Sequence, residues 1–284
     1  MPRVVVNTTF RDFTGDINDE MQIKFLKSLR RQTFQDYILV VSVFYEKRVE
    51  TVVRSILGDR CTFIYDACEG NYRFSLSKTF KNGIDFGIQN GADILLDCSS
   101  DIILQKNFLE VIVNRCHNFS AGISHPNVFL ELTDKGEKKY SYGKISYGID
   151  TRFFTLDLFR QEEVYKLLDK FPSYDYGAGI ESIMCGIAIR YAKYRCNIFE
   201  EAKVAKIEND RGGRVNVTNS FMREGHKRNL PTVHRFLDYV GLGRKYAKLI
   251  ELNKAYRPTG RKLNYYFKFG GQYLHYFIAK YNKP

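Results

Sequence analysis

Apolar positions follow two rhythms over the first 120 residues. Short runs rich in Val, Ile and aromatics alternate with segments whose apolar residues recur every three or four positions. That alternation predicts an α/β chain, with a parallel sheet and crossover helices. Val4–Thr9 is a first strand, Tyr37–Phe44 a second, Thr62–Tyr65 a third and Ile94–Leu96 a fourth. The second is apolar almost throughout, as expected of a strand covered on both faces. Between strands one and two, Met21, Phe25 and Leu29 form a helical stripe. Asn18 is its expected N-cap, with Asp19 and Glu20 in the first turn and Lys27, Arg30 and Arg31 in the last. Val49, Val52, Val53 and Ile56 form a second apolar face, stopped by Gly58. Ser75–Asn90 is a third helix, ended by Gly91 despite Gly83 and Gly87 within it.

Beyond Leu96 the rhythm breaks up. Phe108–Cys116 is expected to be helical and Ala121–Ser124 a strand. Val128–Leu132 and Lys138–Tyr142 are expected to pair around Asp134-Lys135-Gly136. Gln161–Leu168 and Ile180–Tyr194 have helical patterns. Asn209–Gly225 has none and reads as a loop, and two or three amphipathic helices are expected after Thr232.

Composition narrows the class. The chain has 284 residues, 44% apolar and 27% charged, with six Pro. Its mean hydropathy is −0.35. These values fit an ordinary globular core and exclude wholesale disorder. No apolar run is long enough to span a bilayer, and the start does not resemble a secretory or transit signal. None of the six Cys lies in a C-x-x-C pair, so buried free thiols in a reducing, cytoplasmic setting are expected. Sequons begin at Asn7, Asn118 and Asn216, and Asn7 lies in an expected buried strand.

Charge is segregated. Residues 1–202 carry 26 Lys+Arg against 27 Asp+Glu, whereas residues 203–284 carry 18 against 5. The second segment also holds 13 Phe and Tyr. A neutral body with a basic, aromatic tail separates a site from an attachment surface. The division is expected at 1–205 and 206–284. Without a duplex-binding or RNA-binding motif, and with a neutral body, nucleic acid is not an expected partner.

The chemistry is expected beyond the carboxyl ends of the strands, where open α/β sheets bind ligands. Asp97, Ser99, Ser100 and Asp101 follow the fourth strand and offer oxygen to a hard cation such as Mg²⁺ or Mn²⁺.

Ser28-Leu29-Arg30-Arg31-Gln32-Thr33 matches an S-L-x-x-Q-T block. Gly83-Ile84-Asp85-Phe86-Gly87, Asn90-Gly91-Ala92-Asp93 and Phe108-Leu109-Glu110 match a G-I-E-Y-A…N-G-A-D…F-L-E series. Through these blocks, residues 1–200 resemble the family 2 type of inverting nucleotide-sugar glycosyltransferases. The resemblance implies a GT-A-like, Rossmann-type, mostly parallel sheet flanked by helices, here with a C-terminal helical extension. It implies sugar transfer, hexosyl or pentosyl, from a nucleoside diphosphate to a glycan or lipid-linked acceptor, as in polysaccharide biosynthesis.

In the ungapped register the family's D-x-D falls on Ser99-Ser100-Asp101. Asp101 is then the implied cation ligand. Ser99 replaces the first Asp, so either Asp97 substitutes or Ser99 acts through water. His226 is the candidate that completes the shell, with His234 behind it. Thr8, Thr9 and Arg11 fall where the family holds the nucleotide, Asp66 is a candidate base contact, and Arg73 and Lys78 face the diphosphate. Phe171–Glu181 is similar to the family's G-F-D-E…G-G-x-E-D stretch. It implies Glu181 as general base, with Asp175 as the alternative. The tail's aromatics with Lys and Arg suit peripheral contact with an anionic, cytoplasmic membrane face. They equally suit an anionic glycan, a dimer contact or a packed extension.

Overall fold

The computed structural model describes residues 3–15, 17–44, 48–67, 75–115, 121–124, 126–133, 136–141, 151–170, 196–198 and 202–209. The first four strands are β1 (Val4–Thr9), β2 (Tyr37–Val43), β3 (Cys61–Tyr65) and β4 (Ile94–Cys98). The helices between them are α1 (Ile17–Arg30), α2 (Val49–Leu57) and α3 (Leu76–Gln89). β5 (Ile102–Leu104) and α4 (Phe108–Asn114) come next, then β6 (Ala121–Ser124), β7 (Pro126–Thr133) and β8 (Gly136–Ser141). β9 (Thr151–Thr155) precedes two short helices, α5 (Asp157–Arg160) and α6 (Glu162–Tyr165), and a 3-10 turn over Lys166–Lys170. β10 (Cys196–Ile198) and β11 (Val204–Asn209) complete the described elements.

The main sheet has seven strands in the order β10-β6-β9-β4-β1-β2-β3. All its pairs are parallel except those of β9, which runs antiparallel between β4 and β6. The second sheet, β5-β11-β7-β8, contains the expected hairpin, with Glu131 opposite Lys138. β11 extends past residue 205, so this sheet reaches across the expected segment boundary.

Alternation along the strands sorts the core. Val4, Val6, Leu39, Val41, Ile94, Leu96 and Phe153 pack with Phe25, Leu26 and Leu29 of α1, Val53 of α2 and Phe108 of α4. On the opposite face lie Phe154, Phe80 of α3 and Phe159 of α5. Their ring centroids are 5.6–5.7 Å apart in edge-on contact, a geometry that adds about 0.5–1.5 kcal/mol per pair.

The glycines inside α3 are there for close packing. A Cβ on Gly83 would lie 2.5 Å from Asn7 Cγ, and one on Gly87 would lie 2.6 Å from a Leu156 methyl. Ser75 caps α3 by accepting the Lys78 N–H at 3.2 Å, and Gly91 follows its end at φ +64°. Gly58 stops α2 as expected, at φ +62°.

Several boundaries differ from expectation. α1 begins at Ile17, which puts Asn18 inside the helix; Asp19 instead accepts the Thr14 and Gly15 N–H groups of the preceding loop. β4 runs on through Asp97 and Cys98, because β9 supplies partners there. The helix expected over Gln161–Leu168 is one turn of α6 followed by the 3-10 turn. The helices expected at Ile180–Tyr194 and after Thr232 lie outside the described residues.

The S-L-x-x-Q-T and F-L-E blocks touch one another. Ser28 Oγ accepts the Leu104 N–H at 3.1 Å and donates to Phe25 O at 2.7 Å. Gln32 Nε2 donates to Ser28 O and Gln105 O, at 3.1 and 2.9 Å, while its Oε1 accepts the Leu109 N–H at 3.0 Å. Thr33 Oγ1 donates to Glu110 at 2.6 Å. Asn107, the N-cap of α4, makes no side-chain cap bond, so Gln32 satisfies a first-turn donor in its place. This clasp fixes β5 and α4, the two elements that follow Asp101.

Candidate functional site

The parallel strands β1–β4 end together, and their last residues form a polar platform. Thr8 is buried, and its hydroxyl donates to Cys98 O of β4 at 2.7 Å. The Thr9 hydroxyl donates to Ser42 O of β2 at 2.8 Å. The two threonines thus join β1 to each neighbour at the sheet's edge of chemistry, and each keeps oxygen lone pairs as acceptors. Ser42 in turn accepts from Asn82 Nδ2 of α3 at 3.0 Å. The Arg11 backbone is held by the Gln22 amide, which accepts its N–H at 2.8 Å and donates to its carbonyl at 3.2 Å.

Asp66 lies just past β3, where its N–H donates to Val43 O at 3.0 Å. Lys78 Nζ reaches Asp66 Oδ1 at 3.2 Å and also donates to Ala67 O. Both side chains are about one-third exposed, so this ion pair is worth at most about 1 kcal/mol. Its effect is to bring two candidate donor contacts together at the end of β3.

Asp97 and Asp101 have different surroundings. Asp97 is 6% exposed and belongs to β4. Its Oδ2 accepts from Arg152 Nη2 at 2.6 Å and Nε at 3.1 Å, and its Oδ1 accepts from Asn7 Nδ2 at 2.9 Å. Ser99, Ser100 and Asp101 form the half-buried turn between β4 and β5. The Cys98 thiol is pushed well above its usual range, first by burial and then by the Asp97 charge. Cys98 and Cys61 are buried free thiols, as expected.

This donor set bears on the implied cation. Two carboxylates shared between Asp97 and Asp101 do not fit, because Asp97 is occupied by Arg152 and Asn7. Asp101 fits alone, since Mg²⁺-type ions need only one or two carboxylates beside substrate phosphates and water. Among the described residues no three His, Cys, Asp or Glu side chains form a metal-holding group. Arg73, Asp175, Glu181, His226 and His234 lie outside the described residues.

Asn7 and Arg152 are not among the residues expected from sequence. The available signal was their setting: an Asn within Val4–Thr9 and an Arg beside Phe153 and Phe154. A buried polar group in such a run needs a partner.

No protein-family model matches the sequence, and no curated protein is similar to it at a significant level. In structure the chain is similar to S. aureus TarS. TarS residues 1–349 in complex with UDP-GlcNAc give a TM-score of 0.53 at 11% identity, covering 99% of this chain and 91% of that one. TarS 1–349 in complex with UDP gives 0.50 at 10% identity, with 98% and 90% covered. A third TarS 1–349 structure gives 0.51 at 10% identity over the same shares. The chain has that fold: a mostly parallel, GT-A-like central sheet flanked by helices.

Proposed function

We propose that the chain is a glycosyltransferase that takes its sugar from a nucleoside diphosphate. One observation carries this reading: nearly the whole chain shares its fold with a protein solved in complex with UDP-GlcNAc. The polar platform at the ends of β1–β4 supports it, because open α/β sheets bind ligands on that side.

In this reading, the acceptor hydroxyl oxygen bonds to the anomeric carbon as the bond from that carbon to the diphosphate oxygen breaks. A single displacement inverts the carbon. The hydroxyl proton passes to Glu181, with Asp175 as the alternative base. Thr9 and Arg11 line the end of β1 for the nucleotide, with buried Thr8 tying that end to β4, and Asp66, past β3, is the base contact. Arg73 and Lys78 serve the diphosphate side, with Ser99 acting through water beside Asp101. Asp101, with His226, is the holder for Mn²⁺ or Mg²⁺, which when bound neutralises charge on the leaving diphosphate.

The acceptor is a glycan or a lipid-linked sugar. The basic, aromatic tail supports a place at the cytoplasmic face of a membrane. Among the described residues no helix is long and apolar enough to cross one.

A second reading, a sugar-nucleotide binder without turnover, is favoured by Ser99 at the family's first Asp and by the occupation of Asp97. One experiment separates the two. Purified protein is melted with UDP or GDP and Mn²⁺, then incubated with the matching nucleotide sugars. A raised melting temperature with slow release of nucleoside diphosphate supports the enzyme. A raised melting temperature without release supports the binder, and no shift with any nucleotide overturns both.

A further inference from the structure

We infer that Asp97 and Arg152 form an internal clamp that positions the Ser99–Asp101 turn, so that Asp97 serves the donor site as a positioning residue and not as a ligand. The donor-site half of this inference rests on the nucleotide-sugar reading above. The clamp itself rests on geometry alone.

Asn7, Asp97 and Arg152 occupy one row across three adjacent strands. Asn7 is the register partner of Asp97 in the parallel pair β1–β4, and Arg152 is its partner in the antiparallel pair β4–β9. All three are at least nine-tenths buried. The guanidinium grips one carboxylate oxygen through two nitrogens, and the Asn7 amide takes the other oxygen. Gly83 makes room for the row, since any Cβ there would collide with Asn7.

Such a row is not what stability alone selects. A buried ion pair must offset the loss of hydration of both charges, and apolar replacements of similar shape are often neutral or better. The row also leaves a buried acceptor, Asn7 Oδ1, without a partner among the described residues. Its placement is more informative. Asp97 is the next-to-last residue of β4, and Cys98, the last, is bonded through its carbonyl to Thr8. The turn therefore leaves the sheet from a strand end held on both sides. The clasp of Ser28 and Gln32 holds the far side of the turn, through Leu104, Gln105 and Leu109. Between these anchors Ser99, Ser100 and Asp101 have little freedom to shift.

The two roles for Asp97 make opposite forecasts for Arg152. If the carboxylate binds donor or cation, removing Arg152 releases it and UDP binding persists. If the pair is a clamp, losing either partner has the same effect. The variants are Asp97→Asn, Arg152→Gln and their double, with Asp101→Asn for comparison. Each is read by melting temperature without nucleotide and by calorimetric titration of UDP, with and without Mn²⁺.

The expected result has three parts. Each single variant of the pair melts several degrees lower, and the double recovers most of that loss. Arg152→Gln and Asp97→Asn weaken UDP binding alike, by about tenfold, and the double stays weak. Asp101→Asn, the comparison for a lost ligand, loses any dependence of UDP binding on Mn²⁺. Unimpaired UDP binding by Arg152→Gln, with loss in Asp97→Asn, overturns the inference and makes Asp97 a ligand. Wild-type UDP binding by the double variant also overturns it, leaving a purely structural pair. If the wild-type protein binds neither UDP nor GDP, the nucleotide-sugar reading fails and takes the donor-site half with it. The melting cycle then still decides the clamp: additive losses in the double would refute it.

Discussion

Gly83 and Asn7 are in such close contact that no side chain at position 83 fits without moving the asparagine. A Cβ there would lie 2.5, 2.7 and 2.9 Å from Asn7 Cγ, Oδ1 and Cβ. Gly87, one turn on, would meet chiefly a Leu156 methyl, the far end of a flexible chain. Alanine favours an α-helix over glycine by about 1 kcal/mol, but overpacking costs about 1–3 kcal/mol. Gly83→Ala is therefore expected to lower stability, by up to about 2 kcal/mol. Gly87→Ala should come out near neutral. Urea denaturation of the two variants checks the order, and equal stabilities would contradict this account of α3.

Gln32 offers a second test. It satisfies Ser28 O, Gln105 O and the Leu109 N–H. Gln32→Ala leaves buried backbone groups without partners, at about 1–3 kcal/mol each where water cannot replace them. A loss of about 2–4 kcal/mol is expected, with reduced UDP affinity because β5 and α4 follow the Asp101 turn. Thr33→Val removes only exposed contacts of one hydroxyl, to Glu110 and, at 3.5 Å, to Lys106 O, and should cost less than about 1 kcal/mol. Thermal melting of both variants gives the comparison.

Tyr37 predicts an alkaline limb. Burial pushes its phenol up to about 12, with nearby Arg60 opposing weakly, and its hydroxyl donates to Leu29 O at 2.8 Å. The unfolded phenol loses its proton near pH 10, while the folded one holds it until about 12. The contribution is thus complete below pH 10 and is lost as pH rises toward 12. A gap of about two pH units corresponds to about 2–3 kcal/mol. The stability difference between wild type and Tyr37→Phe should shrink by about that much from pH 9 to pH 12. A difference that does not change with pH would rule this out.

Glu181→Gln is expected to lower kcat by about 10²–10⁴-fold while UDP binding persists. If only Asp175→Asn does so, the base is Asp175. Asp101→Asn should remove any stimulation by Mn²⁺. Full turnover of wild type in EDTA would remove the cation from the reaction.

Much of the sheet was legible because β2 and β4 are largely apolar, β1 opens on three valines, and α2 and α3 stop at Gly58 and Gly91. The hairpin was legible from Asp134-Lys135-Gly136. β9 was not, because a five-residue segment beginning Thr151-Arg152 has no period of its own and is a strand only between β4 and β6. The same long-range pairing explains why β4 does not stop at Leu96: Asp97 disfavours a strand locally, but Arg152 satisfies it there. For that reason an aspartate that looks like a solvated ligand in sequence is an internal ion pair. The S-L-x-x-Q-T block was visible as a family likeness, but its work as a clasp depends on residues some 75 positions away.

The antiparallel placement of β9 also constrains how the chain is made. During synthesis β1 to β4 emerge first and pair among themselves, with α1, α2 and α3 available to cover them. β6 emerges later with no neighbour in the main sheet, since its partners β9 and β10 are still untranslated. At about 5–20 residues per second the wait for β9 is a few seconds. Throughout it, the outer edge of β4 and both edges of β6 are open to pairing with another chain. A nascent chain released before residue 151 is expected to aggregate more readily than the 284-residue chain.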